Sequence, residues 1–139
     1  EVLTGVSEGC FDTVLFKARQ TRALVGFMQE NCGAQPEFLW KRYPDYAAFR
    51  VKENGKWFAV IMHVSRSRLG LPGPGSVEVI NLKDTPQEVK KRLETDGFLR
   101  AYHMDGKNWY TVCLNDTVED RQIEALVSRS YALVRSKRR

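Results

Sequence analysis

Histidine and cysteine are scarce in this chain, and their scarcity removes several chemistries at the outset. Only His63 and His103 carry imidazole, and Cys10, Cys32 and Cys113 are odd in number and widely separated. No pair of them has metal-ligand spacing, and no disulfide framework is implied. No metal, no cofactor and no catalytic residue are therefore expected, and a reducing, cytoplasmic setting is the default. A lone histidine on a strand is more often structural than a ligand. Enzyme activity has no motif behind it, and would need a pocket where His63 or His103 meets a cysteine or a carboxylate. The chain also lacks any apolar run near the roughly 18 residues of a membrane helix. Its N-terminus has no basic region ahead of an apolar stretch, so no signal peptide is expected. It does not begin with methionine, the expectation for a chain trimmed or excised from a longer protein.

Excess charge of either sign is scarce in the body of the chain too. The net charge of +5 suggests a nucleic-acid partner, yet Arg135, Lys137, Arg138 and Arg139 supply four of those charges. Residues 1–134 hold 18 basic and 17 acidic side chains, so the body is almost neutral. Within it, residues 17–68 carry ten basic and four acidic groups, against eight and ten over 69–134. A one-sided basic surface fits these numbers; a strongly basic domain does not.

What is present is ordinary globular patterning, with 42% hydrophobic and 28% charged residues in 139, enough for one domain. A first helix is predicted over 17–32, with Leu24, Val25 and Met28 on one face and Gly33 as its stop. A second opens at Thr85-Pro86-Gln87-Glu88, where Thr85 caps, Pro86 suits the first position and Glu88 reaches back to close a capping box. Gly97 is expected to end it. A third starts near Thr117 and carries Ile123, Leu126, Val127, Ser130, Tyr131 and Val134 at helical spacing. Between them, Ala47, Phe49 and Val51 alternate as in a half-buried strand. Asn54-Gly55 then turns the chain into a nearly all-apolar strand over 56–64. Further strands are expected over 77–82, 99–104 and 109–114, the last two joined through Asp105-Gly106.

The order helix, three strands, helix, two strands, helix predicts a two-layer α+β domain, an antiparallel sheet of about five strands with three helices on one side. Residues 17–135 form that domain, 1–16 an N-terminal arm or remnant of a preceding segment, and 136–139 a basic tail. If Phe49, Val51, Tyr110, Val112 and Leu114 face the helices, Arg50, Lys52, Trp109 and Thr111 occupy the other face. Cations there neutralise phosphates and flat rings stack on bases, with Lys56, Lys83 and Lys107 extending the surface from strand ends and turns. Solvated lysine and arginine on an open sheet face are also the ordinary state of an antiparallel sheet. The segment 70–75 has the glycines of a phosphate loop, but two of its six residues are prolines and no Gly-Lys-Ser/Thr follows.

Several stretches in order resemble the MmcQ/YjbR family. They are Tyr43-Pro44-Asp45 with Phe49-Arg50, Lys56-Trp57-Phe58-Ala59, Val79-Ile80-Asn81-Leu82-Lys83, Tyr102-His103-Met104, Lys107-Asn108-Trp109, and Ser130-Tyr131 in the last helix. The resemblance covers about residues 36–134. It implies a compact α+β fold similar to frataxin-like and secretion-chaperone-like proteins, described as a double-wing DNA-binding motif. Carried over residue by residue, it points to Lys83, Lys107 and Trp109, with Arg50 and Lys56 around the wings. The chain departs from the Asn-Lys-x-His-Trp of related sequences, having Asp105-Gly106-Lys107-Asn108-Trp109. The expected partner is DNA, bound with modest affinity and little sequence preference. The alternative is a protein-interaction or accessory domain with no nucleic-acid role. No membrane association is expected.

Overall fold

Hydrophobic spacing along the chain divides the strands into two faces, and both faces turn out to be covered. The computed structural model describes residues 16–136. The expected arm, apart from Phe16, and the end of the tail lie outside them. Helix α1 spans Arg19–Cys32 and stops at Gly33, whose φ of 62° closes the last turn by donating to Met28 O. Strands β1 (Ala47–Arg50), β2 (Trp57–Ser65) and β3 (Ser76–Lys83) follow, with a 3₁₀ turn at Arg66–Leu69. Then come α2 (Pro86–Arg92), β4 (Phe98–Arg100), β5 (Trp109–Cys113) and α3 (Asp120–Arg135). The sheet is antiparallel throughout, in the order β1-β2-β3-β5-β4.

The three helices share one face of the sheet. There Phe49, Ile61, Ile80, Leu82 and Tyr110 pack against Leu24 and Met28 of α1, Val89 of α2, and Ile123 and Val127 of α3. Each aliphatic side chain removed from water in this layer contributes about 1.5–3 kcal/mol.

Some local expectations need correcting. Thr85 does cap α2, its Oγ1 accepting from Glu88 N at 3.4 Å. The reciprocal half of the capping box is missing, because Thr85 N donates to Asp84 instead. The Glu88 carboxylate faces Arg92 and Lys91. Helix α2 also ends at Arg92 rather than at Gly97. Tight i→i−3 turns at Glu94, Thr95 and Phe98 take over, and Gly97 serves the reversal into β4 with φ 91°. Helix α3 begins at Asp120, three residues beyond the predicted Thr117. Strand β4 is three residues long, and 101–108 form a broad connection rather than a strand and tight turn.

The largest correction concerns the second face, expected to be open and basic. Ala48, Val60, Met62, Val64, Val79 and Cys113 make it apolar. It is closed by Trp40 and Tyr46 from the segment before β1, Leu69 and Leu71 after β2, and Tyr102 and Met104 after β4. Thr111 is fully buried in a small polar network. Its hydroxyl donates to Asn81 Oδ1 and accepts from Tyr102 N, while Asn81 Nδ2 donates to Tyr102 O. The cause is energetic: an apolar strip this long is stabilised more by covering loops than by water.

Candidate nucleic-acid interface

Strand direction brings the predicted site residues to one end of the sheet. β1 and β3 finish there with Arg50 and Lys83, while β2 and β5 begin there with Trp57 and Trp109. The turn after β1 and the connection after β4 both project from the same end, so Lys52, Lys56 and Lys107 join them. All six predicted residues, Arg50, Lys52, Lys56, Lys83, Lys107 and Trp109, are thus gathered, though not on an open sheet face.

The first hairpin tip is built by its Asn-Gly signal. Gly55, at φ 71°, donates to Val51 O, and Asn54 Oδ1 accepts from Lys56 N. Asn54 Nδ2 donates to Val134 O, fastening the tip to α3. Lys52 and Lys56 stand exposed on it. Arg50 is differently placed: its Nε donates to Glu37 Oε1 at 2.9 Å and its Nη1 to Gly55 O at 3.0 Å. Its guanidinium also lies 6.0 Å from the Trp57 ring centroid. Glu37 itself is bridged to the outer edge of β1 through Ala48. Arg50 therefore stiffens the hairpin with its charge already paired.

Register places Lys83 opposite Trp109, and its Nζ lies 5.8 Å from that ring. Trp109 is 9% exposed, so the expected stacking platform for bases is largely inside the protein. Lys107 is exposed on a turn closed by Asp105, which accepts from Lys107 N and Asn108 Nδ2. Those hydrogen bonds, helped by the charges of Lys107 and Lys83, hold the Asp105 carboxyl below the usual carboxylate range. An anion thus persists within this group of cations.

Behind the lysines is a buried charge cluster that no local sequence pattern marks. The Asp84 side chain has no solvent exposure, and it accepts from Arg92 at 2.7 Å, Arg129 at 2.9 Å and Thr85 N at 2.8 Å. Burial by itself raises its pKa; the hydrogen bonds from Arg92, Thr85 and Arg129 outweigh that and leave it lowered. Next to it, the β2 ladder contains one extra residue. Phe49 pairs with Ala59 but Arg50 with Trp57, a bulge that turns Phe58 toward the helices. Ser130 of α3 fills the resulting gap, accepting from Lys83 N and donating to Phe58 O. Its helical spacing is visible in the sequence; its partners are not, because they lie 47 and 72 residues away.

No group of three or more His, Cys, Asp or Glu among the described residues is arranged to hold a metal ion. Nor is any helix among them long and apolar enough to cross a membrane. Cys32 and Cys113 are buried, and burial pushes both thiols up, which suits packing rather than nucleophilic attack.

A family model described as YjbR matches residues 31–133. The chain is 36% identical over 109 residues to the uncharacterized protein YyaQ of Bacillus subtilis (strain 168), spanning 78% of this chain and 92% of that protein. A crystal structure of a Pseudomonas syringae protein superposes with a TM-score of 0.79 at 34% identity, covering 84% of this chain and 97% of that one. A Deinococcus radiodurans protein, DR2400, described as a DUF419 domain, shares the fold with a TM-score of 0.66 at 21% identity, over 84% and 79% of the two chains.

Proposed function

The chain belongs to the YjbR family, and from that premise we propose that it is a DNA-binding module that grips the phosphate backbone with one end of its sheet. What supports this is the convergence of two connections and the end of β3, which gathers the exposed Lys52, Lys56 and Lys107 on one rim beside the half-buried Lys83. Phosphate contact needs only exposed cations at suitable spacing, and gives binding that weakens with salt. Base readout has no obvious carrier here. All three helices are committed to the sheet, and Trp109 is largely covered. Modest affinity and little sequence preference follow.

The test is fluorescence anisotropy of labelled duplex and single-stranded DNA at about 50 and 200 mM salt, the range over which phosphate contacts weaken markedly. Binding that falls with salt, survives deletion of residues 136–139 and is lost in Lys52→Glu/Lys56→Glu/Lys107→Glu supports the rim. Unchanged affinity in that variant removes the rim from the account.

A second reading, a protein-interaction domain, is favoured by one observation. Phe38, Leu39 and Tyr43 are 38–46% exposed along a single segment ahead of β1. A folded protein with no affinity for DNA at low salt moves the search to that segment.

A further inference from the structure

At the end of the sheet opposite the lysines, three side chains form an arrangement that DNA binding does not use. His63, near the end of β2, has Asp45 Oδ2 at 3.2 Å from its Nδ1 and Ser76 Oγ at 2.5 Å from its Nε2. The topology sets this contact. β2 lies between β1 and β3, with Ala47 opposite Ile61 and Ser65 opposite Ser76. Two residues further along the first pair, Asp45 comes beside His63, and Ser76 stands diagonally across on the other side.

The polarity of the trio is defined by its chemistry. In the tautomer a triad requires, with the Nδ1 proton toward the Asp45 carboxylate, the Nε2 lone pair faces the serine hydroxyl. Nucleophile, base and orienting carboxylate are then in series, as in serine hydrolases of unrelated folds. Ser76 is exposed, and the His63 and Asp45 side chains are 27% and 35% exposed, so a substrate has access. Ser76 and His63 line a cleft of about 450 Å³ that also holds Lys17, Arg66 and Glu78, whose carboxylate accepts from the backbone N–H groups of Lys17 and Ala18. Arg66 is pinned to the loop leading into the serine: its Nε donates to Pro72 O and its backbone N–H to Gly75 O.

We propose that Ser76, His63 and Asp45 form a nucleophilic triad that hydrolyses small carboxylic esters. Ser76 Oγ bonds to the ester carbonyl carbon as its proton passes to His63 Nε2. Collapse of the adduct breaks the bond to the leaving oxygen, which departs as the alcohol with that proton. Water then gives a proton to Nε2 while its oxygen bonds to the acyl carbon. The second collapse returns the proton to Ser76 Oγ and releases the carboxylic acid. Asp45, 3.2 Å from Nδ1, stabilises the charged form of the imidazole.

The experiment treats the full chain with a fluorophosphonate probe and locates the adduct by peptide mass spectrometry. Release of 4-nitrophenolate from 4-nitrophenyl acetate is followed in parallel. The expected result is one adduct, on Ser76, and ester hydrolysis that Ser76→Ala abolishes. His63→Gln should slow both reactions about a hundredfold, the scale of a lost general base, and Asp45→Asn should slow both as well. Absence of an adduct on Ser76 in the folded wild-type protein overturns the proposal. So does labelling of Ser76 at an unchanged rate in folded His63→Gln, which would leave the histidine a structural bridge.

Discussion

Ser130 stands where the extra residue of β2 opens the sheet ladder, and its hydroxyl serves Lys83 N and Phe58 O at once. Ser130→Ala leaves both backbone groups buried without that partner, so a loss of about 1–3 kcal/mol is expected from the shift in urea midpoint. Asp84 is a second buried residue of this kind. Asp84→Asn takes the charge from between Arg92 and Arg129, and a cost of about 3 kcal/mol is expected, as for a broken buried pair. The sign of its pH dependence follows from the lowered folded pKa. Its contribution is fully present above the ordinary value of 3.8 and is lost as pH falls through the lower folded value. Urea titrations from pH 6 to pH 2 should therefore show wild-type stability dropping more steeply below pH 3.8 than that of Asp84→Asn.

At the scale of elements, the turns decide where strands and helices end. Gly97 joins α2 to β4 with φ 91°, and a Cβ built there would lie 2.6 Å from Val118 Cγ2. Its carbonyl also accepts from Cys113 N, so the segment cannot move aside without loosening β5. Gly97→Ala combines a clash with a backbone conformation that L-residues avoid, and is expected to cost about 3 kcal/mol, read as a lowered thermal midpoint. Signals of this local kind were legible in the chain. Thr85 and Pro86 start α2, Gly33 stops α1 and Asn54-Gly55 turns β1 into β2, each acting within a few residues of itself. Gly97 differs because glycine marks a positive φ without saying which element it serves, here the reversal into β4 and not the end of α2.

For the whole molecule, the rim of lysines sets the expected behaviour toward DNA. Each phosphate neutralised adds about −0.9 to the slope of log K against log salt on duplex DNA. Replacing Lys52, Lys56 and Lys107 should therefore flatten that slope by about 3, in anisotropy titrations across several salt concentrations, equally for unrelated sequences. A variant that lost affinity for one sequence alone would point to base contacts that this end of the sheet does not offer. The rim lies at one end of the sheet and His63 near the other, so the lysine variant should leave labelling of Ser76 unchanged.

The amino-acid order by itself determined the number and sequence of elements and the apolar face that receives the helices. Those depend on periods of two and 3.6 residues and on short capping and turn signals, all local in the chain. The tertiary structure alone decided that the second face of the sheet is closed, that Trp109 lies beneath Lys83 rather than open to a base, and that Arg50 is held by Glu37. It also brought His63 between Asp45 and Ser76. The physical reason is the same in each case: burial and side-chain contact depend on segments many residues apart, which strand pairing brings together and local periodicity does not encode.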